Sequence, residues 1–220
     1  MKKEFWLERW EREETGFHQE DINPYLRRYW PELHLEGNSA VFVPLCGKSL
    51  DMLWLRDQGH PVVGVELSAI AVQAFFGENG YRPQRVVQGK FDRCEAGGIG
   101  ILCGDLFDLC SDDLKDVAAV YDRASLIALP PDMRERYVRH LAGILPPATQ
   151  ILLVTVDYPQ AEMQGPPFSV SAAEVEALFR DHAVVQMLSQ ADVLAQNPRF
   201  QQRGLSRFRE NIFLLTLHER

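Results

Sequence analysis

A chain of 220 residues, 46% hydrophobic and 25% charged, has the length and composition of a self-folding globular protein built as one α/β layer structure. Its net charge of −8 offers no general attraction to a phosphate backbone, which argues against nucleic acid as a partner. The start M-K-K-E-F-W lacks an apolar h-region, no run of 18 apolar residues follows, and Cys46, Cys94, Cys103 and Cys110 form no C-x-x-C pair; a cytoplasmic chain with reduced thiols, no membrane span and no metal is expected.

Residues 3–14 read as a helix with Trp6 and Trp10 one turn apart, and residues 21–30 as a second helix opening at an acidic cap. Residues 1–35 thus form a helical preface to a core spanning 39–220 in a single domain. From Ala40 the pattern changes to short β-branched runs at 41–43, 62–65, 99–103, 117–121 and 151–156, which read as buried parallel strands. Helical patterns separate them: Leu50, Leu53 and Trp54 up to Gly59; Ile70, Ala74 and Phe75 up to Asn79-Gly80; Met133, Tyr137, Leu141 and Ile144 up to Pro146-Pro147. This alternation predicts a doubly wound, Rossmann-like sheet with helices on both faces. The stretch 84–93 reads as a polar surface hairpin. Ser171-A-A-Glu174 is a capping-box pattern that opens a helix, and 184–188 with 212–217 supply two late strands with no clear helix between them, hence an antiparallel hairpin at the sheet edge.

In an open α/β sheet ligands bind beyond the carboxyl ends of the strands. The first run ends in Pro44-Leu45-Cys46-Gly47-Lys48-Ser49, where a glycine turn lets backbone approach a ligand beside a helix start. The second ends in Glu66, at the spacing of roughly 20 residues at which an acid accepts hydrogen bonds from both ribose hydroxyls. The third leads into Gly104-Asp105-Leu106, where an adenine is readable, and the fourth into Asp122-Arg123, an acid and a base beside the same cleft. Gly47-Lys48-Ser49 matches the end of a phosphate-binding NTPase loop, but Phe42 stands where its first glycine belongs, and the single glycine does not make the G-x-G-x-x-G of a dinucleotide site. A nucleoside without phosphate, S-adenosylmethionine, fits best.

The stretches F-W-L-E-R-W, G-F-H-Q, V-P-L-C-G-K-S-L-D-M-L-W-L, G-V-E-L-S, F-D-L, Y-D-R-A-S-L-I-A-L and G-P-P-F, with L-L-T near the end, resemble the thiopurine S-methyltransferases, particularly the bacterial ones. The resemblance covers nearly the whole chain. It implies a class I methyltransferase fold with seven core strands, the last antiparallel, and an N-terminal segment folded over the site as a lid. It further implies Trp10, Leu45, Glu66 and Arg123 as S-adenosylmethionine contacts, with Asp105 and Leu106 beside the adenine. Trp6, Trp10 and Phe17 match the aromatics of the lid, and an aromatic face stabilises a cationic sulfonium by about 1 kcal/mol. The implied acceptor is the sulfur of a small thiol such as 6-mercaptopurine, or a selenium or tellurium compound. Such an acceptor needs a cation to favour its ionised form more than it needs a strong base, and Arg123 and Arg199 are the candidates, Arg203, Arg207 and Arg209 being read as a solvated face. His18 is a candidate substrate contact, although a lone loop histidine is commonly a bystander. Cys46 is taken as packing.

Two other functions are compatible with the same residues: a methyltransferase of the same fold acting on oxygen, nitrogen or an inorganic chalcogen, and a non-catalytic sensor of the cofactor or of its product S-adenosylhomocysteine. With no heptad pattern or long apolar surface run, a monomer is expected.

Overall fold

The computed structural model describes residues 3–16 and 18–219. Nine strands form one continuous sheet: β1 (Ala40–Val43), β2 (Val62–Glu66), β3 (Gln84–Gln88), β4 (Phe91–Ala96), β5 (Ile99–Cys103), β6 (Val117–Asp122), β7 (Gln150–Asp157), β8 (Ala183–Asp192) and β9 (Arg209–Leu217), in the spatial order β3-β4-β5-β2-β1-β6-β7-β9-β8. Strands β5, β2, β1, β6 and β7 are mutually parallel. Around them lie α1 (Lys3–Glu11), α2 (Pro24–Tyr29), α3 (Asp51–Asp57), α4 (Ala69–Glu78), α5 (Pro131–Ile144), α6 (Ala172–Phe179) and α7 (Pro198–Gln202).

The strand sequences alternate, and each half of the alternation finds its own layer. Phe42, Val120, Leu153 and Phe213 pack under Tyr137, Val138 and Leu141 of α5 and Val175 and Phe179 of α6. Their neighbours Val41, Val43, Ala119, Tyr121, Leu152 and Val154 face the opposite layer, made by Leu26, Trp30, Met52, Leu55, Val72, Phe75 and Phe76. Burying each such side chain contributes roughly 1.5–3 kcal/mol, so the period-two pattern fixes which face each strand presents. In the second layer Trp30 Nε1–H donates to His60 Nε2 at 3.1 Å, and His60 Nδ1 lies 2.9 Å from the Ser39 carbonyl, both rings being almost wholly buried. Substituting His60→Leu keeps the volume but strands both partners, so unfolding in urea is expected to show a loss of about 2–3 kcal/mol with an unchanged slope.

The structure corrects the sequence reading in four places. The first helix stops at Glu11, and Glu13 follows in the left-handed region with φ 55°. The second helix starts at Pro24 under Asn23, whose side chain accepts the Tyr25 N–H, and not at an acidic cap at Asp21. The stretch 84–93 is no free hairpin: β4 continues through Gly97-Gly98, both with positive φ as a two-residue hairpin turn requires, and pairs antiparallel with β5, extending the seven-stranded core to nine. At the C-terminus β8 and β9 form the expected antiparallel pair at the sheet edge, with β9 beside β7 and β8 outermost, but α7 lies between them in the chain, where no clear helix was legible. The seven-stranded class I core with one reversed strand is otherwise as expected.

Chain order turns around at β1, which pairs with β2 on one side and with β6 on the other. A crevice for a ligand opens at such a switch point, beyond the carboxyl ends of β1 and β6.

Candidate active site

The turn after β1 is strained where it enters the crevice. Leu45 and Gly47 both lie in the left-handed region, with φ of 43° and 52°; for Leu45 this costs about 1–2 kcal/mol. Two long-range bonds hold the turn: Cys46 N–H donates to the Val65 carbonyl at 3.0 Å, and Gly47 N–H donates to Glu66 Oε2 at 2.9 Å. Gly47 is also needed for space, since a Cβ there would stand 3.3 Å from the Trp10 ring. Trp10, 6% exposed at the end of α1, therefore lies over the turn, where an aromatic lid residue is expected. Cys46 points away, its sulfur packed so closely on Gly64 that a Cβ there would be 2.7 Å from it, and burial pushes its thiol well above the usual range.

Glu66 ends β2 and is buried. Its Oε1 accepts the Ser68 N–H at 2.8 Å while Oε2 takes the Gly47 N–H, so one carboxylate ties the first turn to the second. The carboxylate retains acceptor capacity beyond these two bonds, which is what holding ribose hydroxyls requires. Burial pushes the Glu66 carboxyl above the ordinary range, and these backbone N–H groups oppose that rise without cancelling it.

After β5, Asp105 caps a short 3₁₀ turn by accepting the Phe107 N–H at 3.0 Å, and Leu106 is buried behind it. Burial works against the charged Asp105, but Lys3 at 2.6 Å and the Phe107 N–H hold its carboxyl below the usual range. This contact ties the first residue of α1 to the loop after β5.

Beyond β6 the adjacent acid and base separate. Asp122 turns inward, accepting from Tyr137 Oη at 2.7 Å and from the Ser125 and Leu126 N–H groups at 2.9 and 3.3 Å. Ser125 Oγ donates to the Pro44 carbonyl at 2.7 Å, joining this loop to the turn after β1. Asp122 is a structural cap, while Arg123 pairs with Asp51 instead, its Nε 3.2 Å from Asp51 Oδ2.

His18 lies half-buried near these groups. Burial lowers its pKa, and the Lys48 and Arg123 charges lower it further against the opposing pull of Glu78. Lys48 itself is bidentate on Glu78, at 2.7 and 3.0 Å. Arg199 is exposed on α7, where Nη1 donates to the Gly16 carbonyl at 2.6 Å, so this residue binds the lid segment two residues before His18. A satellite core under α7, with Phe200 stacked on Phe208 at 4.1 Å and Phe208 on Tyr158 at 6.1 Å, fixes its position. Phe17 lies outside the described residues. Trp6 is half-buried and meets Phe5 edge-on at 5.3 Å.

The structure thus gathers Trp10, Leu45, Gly47, Glu66 and Arg123 around the turns after β1, β2 and β6, with Asp105 and Leu106 after β5. Sequence reasoning missed Asp51, Asp122 as a cap, and Ser125; a buried acid opening a helix is a local signal for Asp51, but its partner is identifiable only in three dimensions.

Residues 1–218 match the thiopurine S-methyltransferase family. The thiopurine S-methyltransferase of Nitrosospira multiformis is 63% identical over 215 residues, covering 98% of each chain, and that of Pseudomonas fluorescens is 50% identical over 213 residues, covering 97% of this chain and 98% of the relative. Among solved structures, the Burkholderia thailandensis 1,6-didemethyltoxoflavin-N1-methyltransferase with bound S-adenosylhomocysteine superposes with a TM-score of 0.62 at 16% identity, over 99% of this chain and 87% of that one. An S-adenosylmethionine-dependent methyltransferase from Methanosarcina mazei gives a TM-score of 0.61 at 15% identity, over 90% of this chain and all of that one. Both carry the same fold.

Proposed function

Because this chain belongs to the thiopurine S-methyltransferase family, we propose that it transfers the methyl group of S-adenosylmethionine to the sulfur of a small thiol, thiopurines included, or to a comparable selenium or tellurium nucleophile. The observation that carries the reading is the pairing of Glu66 with the Gly47 turn under Trp10: a ribose acceptor, close backbone and an aromatic face, with no phosphate cradle. When bound, S-adenosylmethionine supplies a methyl group on a positively charged sulfur.

The roles of the side chains follow from that chemistry. Glu66 holds the ribose, Asp105 and Leu106 bound the adenine, and the turn at Leu45 and Gly47 lets backbone reach the amino-acid end. Trp10 covers the sulfonium and excludes water, which favours a displacement in which charge is dispersed. Arg123 faces the acceptor, favours its thiolate and orients it in line with the methyl group. His18, its pKa lowered chiefly by burial, is available as a hydrogen-bond partner, while Arg199 closes the lid by gripping Gly16, a substrate-enclosing role in place of direct proton chemistry. A soft thiol ionises readily near neutral pH, so no strong general base is required. The same reading takes the protein as a cytoplasmic monomer with four free thiols. Among the described residues no helix is long and apolar enough to cross a membrane.

The test is conversion of S-adenosylmethionine to S-adenosylhomocysteine by the purified protein with 6-mercaptopurine, a selenol and a catechol in parallel. Turnover with the sulfur or selenium acceptor and not with the catechol is expected. Turnover of the catechol alone would move the acceptor to oxygen, and tight cofactor binding without any turnover would favour a sensor.

A further inference from the structure

Asp51 opens α3 and is 2% exposed, yet it is ionisable, and its contact with Arg123 has so far been given no role. Its two oxygens have different tasks. Oδ1 accepts the backbone N–H of Asn23 at 2.8 Å, and Asn23 is the buried cap of α2 in the preface that precedes the core. Oδ2 faces Arg123 Nε at 3.2 Å and accepts no hydrogen bond of good geometry among the described residues. The Tyr121 hydroxyl beside it is likewise sealed from solvent; burial pushes its pKa well up, and the charge and hydrogen-bonding pull of Asp51 add to that, so the phenol is a polar neighbour that brings no counter-charge. The carboxylate therefore depends on the guanidinium of Arg123 for compensation of its charge. A buried charge whose counter-charge is removed is costly, so Arg123 is held where Asp51 needs it.

The ion pair between Arg123 and Asp51 is closest at Nε, so the attraction of the buried carboxylate restrains where the guanidinium lies in the crevice. The Arg123 side chain is 17% exposed, and its charge is among those that lower the pKa of His18. We propose that Asp51 is a positioning residue for methyl transfer, which fixes the guanidinium of Arg123 at the crevice through one oxygen while seating the start of α2 through the other. The inference rests on the role given to Arg123 above and deepens it: seating of the preface and orientation of the active-site cation share one carboxylate.

The experiment is a double-mutant cycle of Asp51→Asn and Arg123→Gln, with kcat for a thiol acceptor as the readout, together with hydrogen exchange of the Arg123 Nε–H followed by NMR. In the wild-type background Asp51→Asn is expected to lower kcat by roughly 30- to 100-fold, the effect of misplacing a reacting geometry by about 1 Å. In the Arg123→Gln background the same change should cost less than about threefold, because the residue it orients is gone. A purely structural Asp51 would give the same loss in both backgrounds, and that result, or an unchanged kcat in the single variant, overturns the proposal. Asp51→Glu, which keeps the charge, serves if the asparagine variant does not fold and should recover part of the rate. The Nε–H is expected to exchange faster in either Asp51 variant, and equal exchange also overturns the proposal. Since the exchange measurement needs no acceptor, a wild-type protein that turned over no thiol would sink the proposed function while the anchoring of Arg123 was still decided.

Discussion

Replacement of Glu66 by glutamine is expected to weaken S-adenosylhomocysteine binding by about 100-fold, measured by titration calorimetry. The loss has two sources. Glutamine keeps one acceptor oxygen and sets an NH₂ group against either the Gly47 or the Ser68 N–H, so the clamp between the two turns opens. It also gives up a charge-assisted acceptor for the ribose. Hydrogen bonds to charged groups contribute about 1.5–3 kcal/mol each, and a net loss near 3 kcal/mol corresponds to the stated factor. An unchanged affinity would remove Glu66 from the cofactor site.

The same side chain ties binding to pH with a definite sign. The carboxylate accepts from both ribose hydroxyls with the help of its charge, whereas protonation removes that charge and turns one oxygen into a donor, so affinity is full above the Glu66 pKa and falls as pH drops through it. Burial raises that pKa, so the loss of affinity should begin at a higher pH than an ordinary glutamate would give, and the Glu66→Gln variant should lack this step. The contribution of Glu66 to stability runs the other way. A carboxyl whose pKa is higher in the folded than in the unfolded chain stabilises the fold below its unfolded pKa, and this contribution is lost as pH rises through the folded value. Acidification through this window therefore strengthens the empty fold through Glu66 while weakening its hold on the cofactor. This is the behaviour of a group placed for binding at the expense of stability.

How much of this was legible in the sequence depended on whether the signal was local. The strands β1, β2, β5, β6 and β7 were readable because a buried parallel strand leaves a short β-branched run, and the Ser171 cap was readable because a capping box is four residues long. Glu66 was readable from its distance to the turn alone. Pairing was legible only in part. The antiparallel pair of β8 and β9 at the edge was readable, but nothing in residues 209–217 says which of the two strands lies beside β7, since either order buries Ile212, Phe213 and Leu215. The surface hairpin of β3 and β4 was readable, but its joining to the sheet through β5 was not drawn, although Gly97-Gly98 marks the junction. The site divides in the same way. Asp122 and Arg123 are adjacent and of opposite charge, which suggested a shared role, but consecutive residues at the end of a strand point to opposite sides, and the Asp122 carboxylate went to the Tyr137 hydroxyl. The bond from Ser125 to the Pro44 carbonyl spans 81 residues and has no local trace.

Arg123 carries the second large effect. Removing a preorganised cation aimed at a reacting centre costs about 100- to 1,000-fold in kcat, and Arg123→Gln should fall in that range with a thiol acceptor. If the guanidinium acts on the acceptor, kcat must fall by more than the affinity for S-adenosylhomocysteine does, and the pH profile must move upward because the bound thiol has lost the charge that favoured its ionisation. Equal losses in affinity and turnover would confine Arg123 to binding. The choice of variant matters because of Asp51: alanine would leave a carboxylate that is 2% exposed with neither counter-charge nor donor, at a cost of about 3–5 kcal/mol of stability, and a partly unfolded sample would mimic a catalytic defect, whereas glutamine also removes the charge but keeps volume and an amide N–H that can donate to Asp51. Arg123→Lys tests the geometry separately from the charge. Lysine keeps the cation but has no second nitrogen with which to grip Asp51 and face the acceptor at once, so it should hold stability better than alanine while recovering only part of the rate. Recovery of the full rate by lysine would show that a positive charge suffices and that the anchored plane of the guanidinium contributes nothing to methyl transfer.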